Sequence, residues 1–369
     1  MKIIHCADLH LDSKMTANLS KEKAKERKSE LLKTFQKMVD YAVENGVKAI
    51  IIAGDLYDTK NISATARNTV QQAILNHSDI DFYYLKGNHD VESPLTNMEE
   101  KPKNLKTFTD EWTSYVLNEE SGGNIVLTGV ELEAKNTQSI YRSLVLNGEM
   151  FNIVTLHGQE AEYVGKDKTE CIHLRELRNK GIDYLALGHV HEYKKEALDS
   201  RGTYCYAGCL EGRGFDECGE HGFVLLEVDE GTRKATTTFV PFASRNLYTL
   251  EVDVSDTMTT AQMAGRIQKS LEEKEYSFRS LLKIVLTGEL DVECEKNIDL
   301  LMKQFEDGYY FLKIYDETKL KVDYQAFSFD QSLKGEFIRT VMGTEDLNEE
   351  EKAEIIRYGI QALAGEEIQ

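Results

Sequence analysis

The chain has 369 residues, of which 41% are hydrophobic and 29% charged, and its formal net charge is −20. That length exceeds one ordinary core and predicts two domains with a terminal appendage. The composition is that of a soluble globular protein without a bilayer-spanning apolar run, and the strong acidity argues against a chain that grips long nucleic acid on its own, because such proteins present a basic face. The acid is unevenly spread. Residues 1–60 carry 11 Lys/Arg against 9 Asp/Glu, whereas residues 345–369 carry 2 basic against 8 acidic residues.

In chain order, the apolar opening Met1-Lys2-Ile3-Ile4-His5 predicts a buried first strand rather than a signal peptide. The expected compartment is therefore cytoplasmic, with no membrane contact. The strand spans residues 3–7 and stops at Asp8-Leu9-His10. The Lys21–Lys28 run reads as the solvated face of a helix. Leu31, Leu32, Phe35, Met38, Val39, Ala42 and Val43 then recur at helical spacing, and Gly46 suits a helix stop. A second strand at 49–53 runs into Gly54-Asp55, and residues 65–75 predict a second helix. Strands at 82–85, 151–156 and 184–187 end at Gly87-Asn88-His89-Asp90, His157-Gly158 and Gly188-His189-Val190-His191. Near-continuous apolar runs suit strands buried on both faces. Alternation of strands with helices implies an α/β domain whose functional residues gather beyond the strand ends.

Phe108, Trp112 and Tyr115 stand near helical spacing and read as core rather than a base-stacking platform. Residues 202–208, 221–228 and 236–240 look like strands closing a second sheet. Beyond Pro241 a β-α-β-α-β pattern runs to residue 315, followed by helices at 329–341 and 348–364. The expected domains are 1–243, a smaller α+β domain at 244–328, and a helical segment at 329–369. The six cysteines (Cys6, Cys171, Cys205, Cys209, Cys218 and Cys294) form no C-x-x-C pair and read as reduced thiols.

Phosphate-ester hydrolysis requires a deprotonated water, neutralised phosphoryl oxygens and help for the leaving oxygen. Two divalent ions about 3.5–4 Å apart can supply all three. Such a site needs mixed carboxylate and imidazole ligands, which Mn²⁺, Fe²⁺ and Zn²⁺ accept more readily than Mg²⁺ or Ca²⁺. Asp8, His10, Asp55, Asn88, His157, His189 and His191 supply such a set. His89 is surplus to the ligand count, and Asp90 beside it is expected to orient its ring. Arg213 is a candidate substrate contact, set against a salt bridge to Glu211, Asp216 or Glu217. Lys86 reads as surface charge. His5 reads as a core residue, and His77, His173 and His221 lack ligand neighbours at useful spacing.

The ordered series D-x-H, G-D-x-x-D, G-N-H-D, H-G and G-H-x-H resembles the calcineurin-like metallophosphoesterase superfamily. Within it the chain is similar to the SbcD-type bacterial DNA repair exonucleases. The run Y-A-G-C-L-E-G-R-G-F-D over residues 206–216 and the run S-L-K-G-E-F over residues 332–337 carry that likeness. The resemblance implies an α/β/β/α sandwich with a smaller capping domain and C-terminal helices. It implies one ion held by Asp8, His10, Asp55 and His191, and a second by Asp55, Asn88, His157 and His189. His89 would act in catalysis, and Mn²⁺ would be the metal. DNA would be the substrate, an SbcC-like SMC-family ATPase docked on the C-terminal helices the partner, and a homodimer the assembly. One departure is Asp58, where relatives often carry a histidine; its role stays open at this point. Small-molecule phosphodiesterase or phosphatase activity, and a mainly structural role in a repair complex, are the competing expectations.

Overall fold

The structure is a computed structural model that describes residues 1–15, 17–58, 62–90, 93–96, 98, 100–119, 122–133, 135–137, 139–161, 171–291, 294–321, 327 and 329–364. Compactness divides the chain into two units, Met1–Asn246 and Leu247–Gln369.

The first unit begins with β1 (Lys2–Cys6), α1 (Lys21–Glu44), β2 (Ala49–Ala53), α2 (Ala64–Asn76), β3 (Asp81–Leu85), β4 (Leu105–Thr107), β5 (Thr113–Val116), β6 (Ile125–Gly129) and β7 (Phe151–His157). It continues through β8 (Gln159–Glu160), β9 (Cys171–Ile172), α3 (Leu174–Leu177), β10 (Tyr184–Gly188), β11 (Lys194–Ala197), β12 (Thr203–Tyr206), β13 (Gly222–Asp229) and β14 (Lys234–Pro241). Two six-stranded sheets result, ordered β14-β13-β1-β2-β3-β4 and β11-β12-β10-β7-β6-β5. β1, β2, β3 and β4 are mutually parallel, as are β6, β7, β10 and β12.

Side-chain alternation sorts each strand between two layers. In β2, Ile50 and Ile52 pack with Phe35, Met38 and Val39 of α1 and Val70 and Ile74 of α2. Ala49, Ile51 and Ala53 face the other way, against Ile125, Leu127, Ile153 and Ala186 of the second sheet. The outer face of that sheet packs Val154, Leu156, Leu185 and Leu187 with Tyr141 and Leu177. The fold is thus an α/β/β/α sandwich. Its second outer layer is thin, because α3 has four residues and Tyr141 sits on a short 3-10 turn.

The helices start and stop on local chemistry. Ser20 and Ser63 accept from Lys23 N and Ala66 N and so cap α1 and α2. The chain leaves α1 through Gly46 at φ +67. Two expectations change. β13 and β14 close the first sheet, not the second, with β13 antiparallel to β1 in the register Ile3↔Leu226. Phe108 lies in the core and Tyr115, on strand β5, packs against the same cluster, as expected. Arg27, in the run read as solvated, is 1% exposed. Its Nη2 donates to Glu211 Oε2 at 2.9 Å and to the Gly212 carbonyl at 3.0 Å. Glu211 also accepts from Thr34 Oγ1 and Ser244 N, each at 2.6 Å.

The second unit contains β15 (Leu247–Asp253), α4 (Thr260–Lys274), β16 (Leu281–Thr287), β17 (Glu289–Asp291), α5 (Ile298–Phe305), β18 (Phe311–Asp316), β19 (Lys319–Lys321), α6 (Leu333–Met342) and α7 (Glu349–Ala364). β15, β16 and β18 form a parallel sheet whose apolar face packs Leu250, Leu282, Ile284 and Ile314 against Met263, Ile267 and Leu301 of the helices. α6 starts at residue 333, later than expected, because the Ser332 side chain accepts from Gly335 N and sets the boundary. Ile338 and Val341 of α6 pack on Ile356 of α7. No helix among the described residues is long and apolar enough to cross a membrane.

The Arg27–Glu211 pair generates the first prediction. Glu211→Ala removes one of the two carboxylates on the buried Arg27 guanidinium, Glu30 being the other, and leaves Ser244 N without its acceptor; it should cost about 3 kcal/mol in urea unfolding. The double substitution Arg27→Met, Glu211→Leu should recover only part of that loss, because Ser244 N still lacks its acceptor. A cost below about 1 kcal/mol for the single variant would contradict the pairing.

Candidate metal centre

The parallel strands deliver their loops to one end of the sandwich. Asp8 and His10 follow β1, Asp55 and Asp58 follow β2, and Asn88 and His89 follow β3. From the second sheet, His157 ends β7, and His189 and His191 follow β10. The loops are bonded to one another: Asp8 N donates to Gly54 O at 3.1 Å, His10 N to Asp55 O at 3.0 Å, and Gly158 N to Gly188 O at 3.1 Å. Asp8, His10, Asp55 and His189 all hold positive φ, at 52, 43, 52 and 99°. Left-handed backbone at side-chain-bearing residues is strained, and it gathers here where side chains must be aimed inward. Two glycines permit the approach. A Cβ at Gly54 would lie 2.1 Å from His157 Nδ1, and one at Gly87 would lie 2.1 Å from Asp55 Oδ1.

The side chains converge in overlapping groups, Asp8–His10–His191 and Asp8–Asp55–His157, whose ligand atoms lie within 4.8 Å of one another. His10 Nε2 and His191 Nε2 face each other at 3.1 Å. Asp55 Oδ2 stands between the groups, 3.8 Å from His10 Nε2 and 3.3 Å from His157 Nε2. Asn88 Oδ1 is 3.0 Å from His157 Nε2, and the His189 ring packs edge-on against His157 with centroids 5.3 Å apart. Asp8 and Asp55 are 1% and 2% exposed. Buried carboxylates beside imidazole nitrogens aimed at common points fit divalent cations, and Asp55 is placed to be shared.

Electrostatics agree with that fit. Burial pushes the Asp8 carboxyl above its ordinary range, and neighbouring Asp55 adds to the push. Burial also opposes ionisation of Asp55, but hydrogen bonding and charge from His157, with charge from His10, hold it down to about 2. Burial disfavours the His157 imidazolium, yet Asp55 and Asp8 outweigh it and raise that ring to about 9. Of the ligand rings, His157 is thus pushed toward its protonated form, whereas burial pushes His10 the other way.

Asp90 requires a correction. Its carboxylate accepts from the Leu56, Tyr57 and Gly87 amides at 3.0, 2.9 and 3.2 Å, so it pins the loops after β2 and β3 instead of orienting His89. The His89 ring meets Asp58: Nδ1 lies 3.2 Å from Asp58 Oδ1, and the same oxygen lies 3.2 Å from His10 Nδ1. The contact to Asp58 is the main influence raising the His89 ring above its usual value. The spacing G-D-x-x-D carried this signal, because it places Asp58 three residues beyond Asp55 in the loop after β2. Glu217 was also missed as a site residue. Its Oε1 is 2.7 Å from His191 Nδ1, and no local motif marks it.

The remaining candidates fall in place as follows. Arg213 pairs with Glu217, Nη2 to Oε1 at 2.6 Å, while its Nη1 stands 3.7 Å from Asp58 Oδ1. Lys86 pairs with Glu131 at 2.7 Å. His5 is buried with Nδ1 on the Tyr184 hydroxyl at 2.9 Å. His77 Nδ1 meets the Ala73 carbonyl at 2.7 Å, and buried His221 lies between Cys209 Sγ and the Glu217 carbonyl. All six cysteines are unpaired thiols.

Two predictions follow from this geometry. Asp90→Ala leaves three amides without their acceptor and should lower stability by about 3 kcal/mol or more; unfolding in urea measures it, and an unchanged midpoint would contradict the pinning role. Metal entry must displace the proton that His157 holds below about pH 9. Mn²⁺ affinity measured by calorimetry should therefore strengthen as pH rises toward that value, and a flat profile would contradict proton competition.

A family model for calcineurin-like phosphoesterases matches residues 1–193. The chain is 30% identical over 245 residues to an uncharacterized metallophosphoesterase, YhaO, from Bacillus subtilis, covering 63% of this chain and 58% of that one. It thus spans under two thirds of that relative's length. It is 24% identical over 395 residues to the DNA double-strand break repair protein Mre11 from Saccharolobus solfataricus, covering 100% of this chain and 96% of that one. A dimetal phosphatase from Danio rerio aligns structurally with a TM-score of 0.40 and 12% identity, over 65% of this chain and 99% of that one. The family match over more than half the chain, with the carboxylate–imidazole groups at the strand ends, establishes that this protein belongs to the calcineurin-like phosphoesterase family.

Proposed function

We propose that the chain is a two-metal DNA nuclease of SbcD type, hydrolysing phosphodiester bonds in DNA repair. The observation that carries the chemistry is the half-exposed His89 ring set on Asp58 beside the buried ligand groups. Asp8, His10, Asp55 and His191 would hold one ion, and Asp55, Asn88, His157 and His189 the other, with Mn²⁺ as the metal. Bound ions neutralise phosphoryl oxygens and bring the pKa of water down toward about 7. The chain's own part is positional. Asp58 fixes Nδ1 of His89, which directs the other ring nitrogen away from Asp58 and toward a leaving oxygen. A raised pKa lets that ring carry a proton near neutrality.

DNA as substrate is supported by the likeness to the DNA double-strand break repair protein along the whole chain. The charge of −20 is the opposing consideration. We resolve it by assigning much of the DNA grip to an SbcC-like SMC-family ATPase, docked on α6 and α7. A small-molecule phosphodiesterase is the second reading, and the same acidity favours it. A purely structural role is disfavoured by the full ligand set.

His89→Ala should retain both ions and lose about 10²–10⁴-fold in turnover of a chromogenic diester; equal rates would remove the role assigned to His89. Linear, hairpin and circular DNAs with Mn²⁺, beside a panel of mononucleotides, separate the substrate readings. Cleavage of DNA supports the nuclease. Hydrolysis confined to mononucleotides contradicts it.

A further inference from the structure

The loop between β12 and β13 places a carboxylate behind a candidate metal ligand. Glu217 Oε1 lies 2.7 Å from His191 Nδ1, and the Glu217 side chain is 4% exposed. Arg213 Nη2 also approaches His191 Nδ1, but at 3.3 Å against 2.7 Å for Glu217 Oε1; an ionised carboxylate only accepts, so the shorter contact puts the proton on Nδ1. Nε2 then carries the lone pair, and Nε2 is the nitrogen that faces His10 Nε2 within the Asp8–His10–His191 group.

Glu217 is itself held in place. Arg213 N donates to its Oε2 at 2.7 Å, and Arg213 Nη2 donates to its Oε1 at 2.6 Å. Its own amide donates to the Gly214 carbonyl at 2.9 Å. The loop's start is fixed by the buried pairing of Glu211 with Arg27. The second group is supported differently. His157 Nδ1 meets the Ala53 backbone carbonyl at 2.9 Å. One ligand histidine thus has a carboxylate behind it, and the other has a carbonyl.

We propose that Glu217 is a positioning residue for one ion only: it fixes the ring and tautomer of His191 for the ion held with Asp8, His10 and Asp55, and leaves the ion at His157 untouched. The inference rests on the two-metal reading above. Partners behind a ligand imidazole typically govern metal affinity by about 10–100-fold. The competing reading is that Glu217 serves only as a clasp for Arg213.

Calorimetric titration of the full chain with Mn²⁺ separates these. Wild type should bind two ions. Glu217→Ala should weaken one ion by about 10–100-fold and leave the other unchanged. Glu217→Gln, whose amide oxygen still accepts from Nδ1–H, should recover most of the loss. Arg213→Ala keeps the backbone amide on Glu217 Oε2 but loses the guanidinium contacts to Glu217 and to His191 Nδ1, and it should weaken that ion less than Glu217→Ala does. Nitrogen NMR of the Zn²⁺-loaded protein should show His191 protonated at Nδ1 in wild type and Glu217→Gln. If Glu217→Ala does not fold, the Gln and Arg213 variants still decide the matter. Equal weakening of both ions, wild-type binding in Glu217→Ala, or a selective loss in Arg213→Ala as large as that in Glu217→Ala would each overturn the inference. Fewer than two ions bound to wild type would overturn the two-metal reading and this inference with it, whereas the variant outcomes reach only the inference.

Discussion

Two buried carboxylates, Asp8 and Asp55, set the terms for the rest of the first unit. A carboxylate taken out of water is costly unless cations or hydrogen-bond donors surround it. Asp8 receives the His189 amide at 2.9 Å on both oxygens, and Asp55 receives the His89 amide at 2.9 Å. Those donors come from loops of both sheets, so satisfying the two acids ties the sandwich together at the site. The imidazoles around them supply a countercharge when protonated and ligand lone pairs when not. Protons and metal ions thus compete for one cavity, and the fold is built to hold either.

The backbone gives the site its precision. Parallel strands end at one level, which brings five loops together without long connections. Left-handed residues at Asp8, His10, Asp55 and His189 turn side chains inward, and the bonds between loops keep those turns in place. Behind them stands a further layer of carboxylates, each with a separate task. Asp58 serves His10 and His89, Asp90 serves backbone amides, Glu217 serves His191 and Arg213, and Glu211 serves Arg27. Much of the acidity near the site is therefore structural or supportive, and net charge alone says little about what the cleft accepts.

The five strands ending in polar clusters were legible because burial on both faces leaves a continuous apolar run, and chemistry interrupts it abruptly. The ligand set could be read for the same reason. Partnerships were less legible. Asp90 is adjacent to His89 in sequence, which suggested a pair, but the turn sends its carboxylate back to three amides and leaves His89 to Asp58. The apolar runs at β13 and β14 showed that they were strands without showing which sheet would take them, since the pattern records burial and not the neighbour. Arg27 looked solvated because its partner, Glu211, lies 184 residues away. Pairing across such separations leaves no local trace.

The central claim is that Asp55 joins two ions in one site. Electron paramagnetic resonance of the protein with two equivalents of Mn²⁺ tests it most directly, because ions about 3.5–4 Å apart and bridged by one carboxylate are spin-coupled. Wild type should give a coupled-pair spectrum at two equivalents, and Asp55→Asn should lose it. A spectrum of isolated ions at full loading of the wild type would contradict it.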